Sequence, residues 1–182
     1  SSILTGLRAS SKPFVIPDYF VDGFATVDGL KMAEKYNLLH AYNEGMFQTS
    51  YDPKLNRQVF YYVDISNNVV GAFGRAFHRF TRPKAYIYAS STKVPIILNR
   101  GPSKGVIVED FFSAVACFSY GSSAISLSGT SIVPDYLNYF RGYDKLIIAL
   151  DKDATIKALK VKKLLDFVCK DVVILPLQKD IK

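Results

Sequence analysis

The second half of the chain alternates between short apolar runs and longer segments with helical spacing. The apolar runs are GVIV at 105–108, AISL at 124–127, KLIIAL at 145–150 and VVIL at 172–175. Before the last run, Val161, Leu164, Leu165 and Val168 fall at i, i+3, i+4 and i+7, which predicts a helix with one apolar face. Strands that alternate with helices predict an α/β unit built on a parallel sheet that helices flank on both sides.

The first half follows a different pattern. A helix is predicted near Gly29 to Leu39, followed by the β-rich stretch RQVFYYVDISNNVVGAFGRAF at 57–77. Within that stretch, Ser66-Asn67-Asn68 separates two β-rich runs, as expected for an antiparallel hairpin. We therefore expect a small mixed α+β subdomain over residues 1–103 and the α/β unit over residues 104–182, in a chain that is a C-terminally truncated fragment.

The composition of the chain indicates what kind of partner it binds and in which cellular compartment it works. The 182 residues are 49% hydrophobic and carry a net charge of +7, which suits a folded protein with an anionic partner. Cys117 and Cys169 lie inside apolar segments, so two buried thiols in a reducing compartment are expected. No apolar run is long enough to cross a bilayer, and we expect a cytoplasmic protein without a membrane partner, in a bacterium or a phage-infected host cell.

Two of the predicted parallel strands end in acids. Glu109 follows the first apolar run, and Asp151 and Asp153 follow the third. An Asp-x-Asp alone is more often a solvated turn than a site. Two acidic strand ends in one small sheet, however, can face the same crevice. Carboxylate oxygens suit Mg²⁺ or Mn²⁺, so the pattern predicts a metal site formed by these three residues.

These acids resemble the motifs of the Toprim domain over residues 104–182. The family has a Glu at the end of its first strand and an Asp-x-Asp at the end of a later one, here Glu109, Asp151 and Asp153. Between them, SLSGTS at 126–131 is similar to the family's Gly-hydroxyl turn, and LPLQKD at 175–180 is similar to the strand and Lys-Asp of its primases. The family usually has Gly after the Glu. Here Asp110 stands there, and its side chain is expected to crowd the metal site or add a ligand.

The first half resembles the basic subdomain of the RNA-polymerase core of DnaG-type primases, especially the phage versions. The hairpin ends in Gly74-Arg75, Pro83-Lys84 follows, and Arg57 opens the hairpin. Residues 16–47 are similar to the small helical entry segment of the phage members. The resemblance implies template-directed synthesis of short RNA primers on single-stranded DNA from ribonucleoside triphosphates, with a replicative helicase, fused or separate, as partner.

The same resemblance implies roles for individual residues. Glu109, Asp151 and Asp153 would be catalytic and hold Mg²⁺ or Mn²⁺. The residues expected to bind the template or the triphosphate are Arg57, Arg75, Lys84 and Lys179. The template sequence at which synthesis starts is not predicted, because no cysteine cluster for a zinc domain is present.

Charge distribution gives independent support for a nucleic-acid partner. Residues 65–108 hold seven Lys or Arg residues and no Asp or Glu. Such a segment predicts phosphate neutralisation, although a solvated basic face is the alternative. Tyr86 and Tyr88 have strand spacing beside these cations and would either stack on unpaired bases or, as we favour, face the core.

Two other function classes stay open. A Toprim nuclease or topoisomerase fragment would use the same acids for phosphodiester cleavage, and a non-catalytic single-stranded nucleic-acid-binding module would keep only the basic surface. His40 and His78 lack the partners of a zinc site, no His follows Ser128 to form a Ser-His-Asp order, and no phosphate-binding Gly-Lys-Ser/Thr loop is present.

Overall fold

The structure, a computed structural model, describes residues 12–129, 132, 134–177 and 181. The chain divides between Lys93 and Val94 into two compact units, here called the N-terminal unit and the C-terminal unit. In the part of the chain that is described, each unit is built on its own five-stranded sheet.

The sheet of the N-terminal unit is an antiparallel meander. Its strands follow chain order: β1 (Val21–Asp22), β2 (Thr49–Asp52), β3 (Arg57–Val63), β4 (Val69–Ala76) and β5 (Ala85–Ile87). The predicted hairpin is confirmed as β3 and β4. Its turn forms because Asn67 adopts a positive φ of 68° and Asp64 Oδ1 accepts the amide hydrogens of Ser66 and Asn68.

Two helices precede the long strands where one was predicted. Helix α1 (Val27–Lys35) begins at Thr26, whose hydroxyl accepts the Gly29 amide hydrogen at 2.9 Å. It ends before Asn37, which has a φ of 54°, and helix α2 (Leu39–Asn43) follows. A left-handed Asn terminates a helix in the way that Gly often does, and apolar periodicity alone did not reveal that break.

Tyr88 and Asp52 form the polar centre of the N-terminal core. Tyr88 is 9% exposed and packs with Val59, Tyr61 and Ala72, which confirms the core-facing prediction for this residue, and Tyr86 packs against the same cluster. The Tyr88 hydroxyl donates to Asp52 Oδ2 at 2.5 Å, while Asp52 Oδ1 accepts the amide hydrogens of Lys54 and Leu55. Burial, together with this bond to Asp52, raises the pKa of Tyr88 well above its usual value.

The sheet of the C-terminal unit is mostly parallel, as predicted. Its order is β10-β9-β7-β8-β6, with the strands β6 (Ile96–Leu98), β7 (Lys104–Val108), β8 (Ser123–Ser126), β9 (Lys145–Ile148) and β10 (Asp171–Ile174). Strand β6 pairs antiparallel with β8, and the other three pairings are parallel. Because β6 belongs to this sheet, the unit begins ten residues before the boundary expected from the sequence.

Helices connect these strands, as in other α/β proteins. Helix α3 (Phe111–Ala116) follows β7, a 3-10 helix (Pro134–Phe140) precedes β9, and helix α4 (Thr155–Leu165) joins β9 to β10. Helix α4 buries Ala158, Val161 and Leu165. The strands contribute fully buried aliphatic side chains to the core, among them Ile107, Ile125, Leu146 and Ile148. Both cysteines are free thiols. None of the helices in the described residues has the length and apolar character needed to cross a bilayer.

We predict that Tyr88→Phe lowers the free energy of unfolding by about 1–3 kcal/mol, because the buried Asp52 Oδ2 then loses its hydroxyl donor. Tyr51→Phe is the matched control, since the Tyr51 hydroxyl bonds Asn56 Oδ1 at 2.9 Å in an exposed position. Urea unfolding followed by circular dichroism measures both variants. Equal stability of Tyr88→Phe and Tyr51→Phe would contradict a structural role for the buried pair.

Candidate catalytic edge and basic groove

The predicted catalytic acids lie at one edge of the parallel sheet. Strands β7 and β9 are direct neighbours, and the Ala149 amide donates to the Ile107 carbonyl at 2.8 Å just past the end of β9. Glu109 is the first residue after β7, and Asp151 and Asp153 follow β9 by a few residues. Because the strands run in the same direction, all three acids follow carboxyl ends at the same sheet edge. We call this edge the carboxylate edge.

A tight turn after β8 borders the carboxylate edge. Ser128 and Gly129 both adopt positive φ, 55° and 69°, and the Ser126 hydroxyl accepts the Ser128 amide hydrogen at 3.0 Å. The Gly129 amide lies 3.3 Å from the Glu109 carbonyl oxygen, to which it donates. This turn is the described part of segment 126–131, for which the sequence predicted a Gly-hydroxyl turn, and it is tied directly to the backbone of Glu109. Thr130 and Ser131 lie outside the described residues.

Glu109 forms an ion pair that the sequence did not indicate. Lys157 of α4 places its Nζ 2.6 Å from Glu109 Oε1, and the two side chains are only 30% and 23% exposed. Glu109 Oε2 is buried and accepts no hydrogen bond from the described residues. A buried carboxylate oxygen without a donor is energetically costly, so a further cation or donor at Oε2 would be stabilising.

Asp151 and Asp153 differ in exposure, Asp151 being half-buried and Asp153 exposed. The described residues contain no cluster of three or more His, Cys, Asp or Glu side chains that could hold a metal ion. Glu109, Asp151 and Asp153 are therefore not gathered into a preformed cage. Their chemistry nevertheless suits Mg²⁺ or Mn²⁺, because such ions need only one or two carboxylates beside water and phosphate oxygens. The buried Oε2 of Glu109 is the strongest indication of a cation at this edge.

Asp110 begins helix α3. Its Oδ1 accepts the Ser113 amide hydrogen at 2.9 Å, and its backbone is extended, as is usual for the residue that caps a helix. This geometry gives a structural reason for an acid at the position where the Toprim resemblance implied Gly. The side chain satisfies an amide at the start of α3, whereas the sequence had suggested crowding of the metal site or an added ligand.

The N-terminal unit contains a groove between α1 and the end of β4, with a volume of about 250 Å³. Its lining includes five Lys or Arg side chains and a single acid, Asp28. The five cations are Lys31, Lys35, Arg75, Arg79 and Lys84. We call this region the basic groove. A concave surface with this excess of positive charge favours phosphate groups.

The aromatic side chain of Tyr36 lies close to two of the groove cations. Arg75 Nη2 donates to the Tyr36 hydroxyl at 3.4 Å, and its guanidinium lies 5.8 Å from the centre of the Tyr36 ring. Lys35 Nζ lies 5.2 Å from the same ring. The ion pairs found within the described residues do not involve Lys31, Lys35 or Lys84, so the charge of the groove is not cancelled by its own acid.

The residues predicted to bind nucleic acid thus have different surroundings. Arg75 and Lys84 both line the basic groove. Arg57 is only 5% exposed, and its Nη1 donates to the Gly74 carbonyl at 3.0 Å, so the structure gives it a place in the core of the sheet. Lys179 lies outside the described residues.

Sequence reasoning missed Lys31 and Lys35, which form the α1 side of the groove. Both lie outside the acid-free segment 65–108, although their i, i+4 spacing on a predicted helix was a usable signal. The acid-free segment is also divided between the two units. Arg75, Arg79 and Lys84 line the groove, whereas Arg100 and Lys104 belong to the C-terminal unit.

No protein-family model and no curated protein sequence matches this chain. Solved primase structures do match it by fold. The chain is 18% identical to the Aquifex aeolicus primase fragment with zinc-binding and RNA polymerase domains, with a TM-score of 0.56 over 99% of this chain and 51% of that one. It therefore spans about half the length of that fragment.

Bacteriophage T7 provides two further matches. The primase fragment of its primase-helicase is 14% identical, with a TM-score of 0.58 over 97% of this chain and 78% of that one. A T7 structure in which the lagging-strand DNA polymerase interacts with primase domains bound to an RNA/DNA hybrid matches at 15% identity, with a TM-score of 0.56 over 78% and 76% of the chains. The chain therefore has the fold of the RNA polymerase core of DnaG-type primases. Likeness at this identity establishes the fold alone.

We predict that Asp110→Ala lowers the free energy of unfolding by about 1 kcal/mol, because the Ser113 amide then loses its acceptor. Asp110→Asn keeps a capping oxygen and should be close to wild type, and Asp110→Gly should cost only a few tenths of a kcal/mol. Asp144→Ala, at an exposed acid of the same unit, is the control. Urea unfolding ranks these variants. Equal stability of Asp110→Ala and Asp110→Asn would show that the cap contributes nothing.

Proposed function

We propose that this chain is the catalytic core of a DNA primase, which synthesises short RNA primers on single-stranded DNA by metal-dependent nucleotidyl transfer. The observation that carries the proposal is the carboxylate edge, where Glu109, Asp151 and Asp153 follow adjacent parallel strands of a primase-type fold. The Gly-hydroxyl turn beside Glu109 agrees with the Toprim motif order, and the basic groove supplies a surface for phosphates.

The acids have the chemistry to bind Mg²⁺ or Mn²⁺. Asp151 and Asp153 would hold the ion, and Glu109 would be a further ligand or would accept the proton of the attacking 3′-hydroxyl. When bound, the ion neutralises phosphate charge and helps to align the reacting oxygens. The chain's own part in the reaction is to place these carboxylates beyond the carboxyl ends of two paired strands, with Glu109 directly after β7 and the aspartates after β9.

The basic groove is proposed to bind the template or the incoming ribonucleoside triphosphate. Its cations lie on α1, at the end of β4 and in the segment after β4, and the Tyr36 hydroxyl accepts a hydrogen bond from Arg75. The T7 primase domains bound to an RNA/DNA hybrid support a nucleic-acid ligand for this fold. A replicative helicase, fused or separate, remains the proposed protein partner, supported by the T7 primase-helicase match.

We predict that Asp151→Asn and Asp153→Asn each reduce primer synthesis by at least about 100-fold, a loss of roughly 3 kcal/mol in transition-state stabilisation. The substitution removes a charge and keeps the side-chain shape. Extension of labelled nucleotides on mixed single-stranded templates, with Mg²⁺ and with Mn²⁺, measures the effect.

Asp166→Asn is the matched control for this experiment. Asp166 follows α4 in the same unit and forms an exposed ion pair with Lys162, so its loss should leave synthesis unchanged. If Asp151→Asn synthesised primers at the wild-type rate, Asp151 would not be a ligand of the catalytic metal ion. Template cleavage by the wild-type protein without any nucleotide incorporation would favour the nuclease class, and binding without either reaction would favour a non-catalytic module.

We predict that Arg75→Ala/Lys84→Ala weakens binding to single-stranded DNA and flattens its salt dependence. Each lost phosphate contact should reduce the slope of log K against log salt by about 0.7, because fewer counterions are released. Fluorescence anisotropy across a salt series measures both quantities. Lys160→Ala/Lys170→Ala, at exposed lysines of the C-terminal unit, matches the change in net charge.

Comparison of the two double variants distinguishes an effect of charge in the basic groove from an effect of the protein's net charge. If both double variants show the same decrease in DNA affinity and in salt slope, binding depends on the net positive charge of the protein and not on the basic groove. If Lys31→Ala/Lys35→Ala behaves like Arg75→Ala/Lys84→Ala, both walls of the groove contact the DNA. An unchanged salt slope in Arg75→Ala/Lys84→Ala would contradict the groove as a binding surface.

A further inference from the structure

Lys157 is the residue of the carboxylate edge to which no role has been assigned. It is the third residue of α4, and it reaches Glu109, 48 positions earlier in the chain, with 2.6 Å between Nζ and Oε1. The contact joins a helix to the end of a strand. It therefore depends on the tertiary fold and not on local sequence.

The position of Lys157 is unfavourable for the helix itself. The first turn of α4 contains no acid, and no side chain caps the helix. The amino end of a helix carries partial positive charge, so a lysine there is disfavoured by the helix dipole. Helix stability does not explain Lys157, whose ammonium instead pairs with Glu109.

The second ion pair in the described residues provides the comparison. Lys162 and Asp166 are spaced i, i+4 on α4, and their side chains are 38% and 49% exposed. Pairs of that kind contribute little to stability. Lys157 and Glu109 are more buried, so their mutual attraction is screened less by water.

Glu109 is only partly satisfied by this pair. Lys157 contacts Oε1, whereas Oε2 is buried without a hydrogen-bond donor among the described residues. A single ammonium thus leaves one carboxylate oxygen uncompensated. A divalent cation carries twice the charge and can accept both oxygens as ligands, so it would satisfy Glu109 more completely.

We propose that Lys157 is a positioning residue that serves as the internal counter-ion of Glu109 and competes with the divalent cation for this carboxylate. The inference rests on the proposed function, because it takes Glu109 as a metal ligand. In the absence of the metal ion, Lys157 offsets the cost of a partly buried carboxylate and fixes its direction. When the ion binds, the ammonium gives up Oε1, and its flexible four-carbon chain allows it to move to water or phosphate.

The experiment is a calorimetric titration of Mn²⁺ into the protein without nucleotide or DNA. Lys157→Met keeps the length and the apolar chain but removes the competing charge, so Mn²⁺ affinity should rise about tenfold, equivalent to about 1.4 kcal/mol. Lys157→Arg keeps the charge and should stay near wild type. Lys162→Met, on the same helix, should not change the affinity.

Glu109→Gln completes the comparison. If Lys157 acts through Glu109, Lys157→Met should have no effect on Mn²⁺ affinity in a Glu109→Gln background. Unfolding curves for every variant check that the fold is kept, and Lys157→Gln replaces Lys157→Met if the latter does not fold.

The outcomes separate this inference from the proposed function. If Lys157→Met binds Mn²⁺ with an affinity within twofold of wild type, or more weakly, Lys157 does not compete with the ion. That result would not contradict the proposed function, which the primer-synthesis assay tests separately. An equal rise in affinity for Lys162→Met would show a general charge effect and would also overturn this inference. A wild-type protein that binds no Mn²⁺ would overturn both this inference and the metal assignment.

Discussion

The parallel pairing of β7 with β9 is the constraint on which the candidate site depends. Ile107 and Ile148 are register partners although they lie 41 positions apart in the chain, and both are fully buried. Apolar burial at this pair fixes the register of the two strands. Glu109 follows β7 directly, and Asp151 and Asp153 lie a few residues beyond the end of β9. A shift of register by one residue would reverse the faces of the aliphatic side chains. The position of the carboxylates is therefore set by the same packing that stabilises the sheet.

The two units provide different kinds of surface. In the C-terminal unit, acids follow strand ends and are positioned by buried backbone pairing. In the N-terminal unit, cations on α1, at the end of β4 and in the segment after β4 border a groove, and an aromatic ring lies close to Arg75. Arg57 shows that charge alone does not identify a binding residue, because its guanidinium bonds the Gly74 carbonyl inside the unit. The oxygens proposed to bind the metal ion thus lie in one unit, and the cations proposed to bind phosphate lie in the other.

The sequence predicted features that depend on local pattern. Four apolar runs of suitable length became β7 to β10, and an Asn-rich turn became the hairpin of β3 and β4. It did not predict β6, because a three-residue edge strand is too short for a period-two signal. The break at Asn37 depended on one backbone angle. Lys157 was missed because nothing in a linear sequence shows that the first turn of α4 faces the end of β7. Contacts of that kind arise only when distant elements pack.

The order of strands in the C-terminal sheet also has a consequence for how the unit assembles. Strand β7 lies in the middle of the sheet, but its two neighbours, β8 and β9, come later in the chain. Until residues 145–148 have joined, one side of β7 keeps its backbone groups unpaired, and a hydrophobic unpaired edge is a site for association between chains. Pairing between residues so distant in sequence forms slowly, since closing the intervening loop costs entropy before any contact is gained. The strand that presents Glu109 therefore has both neighbours only after residues 145–148 have been added to the sheet.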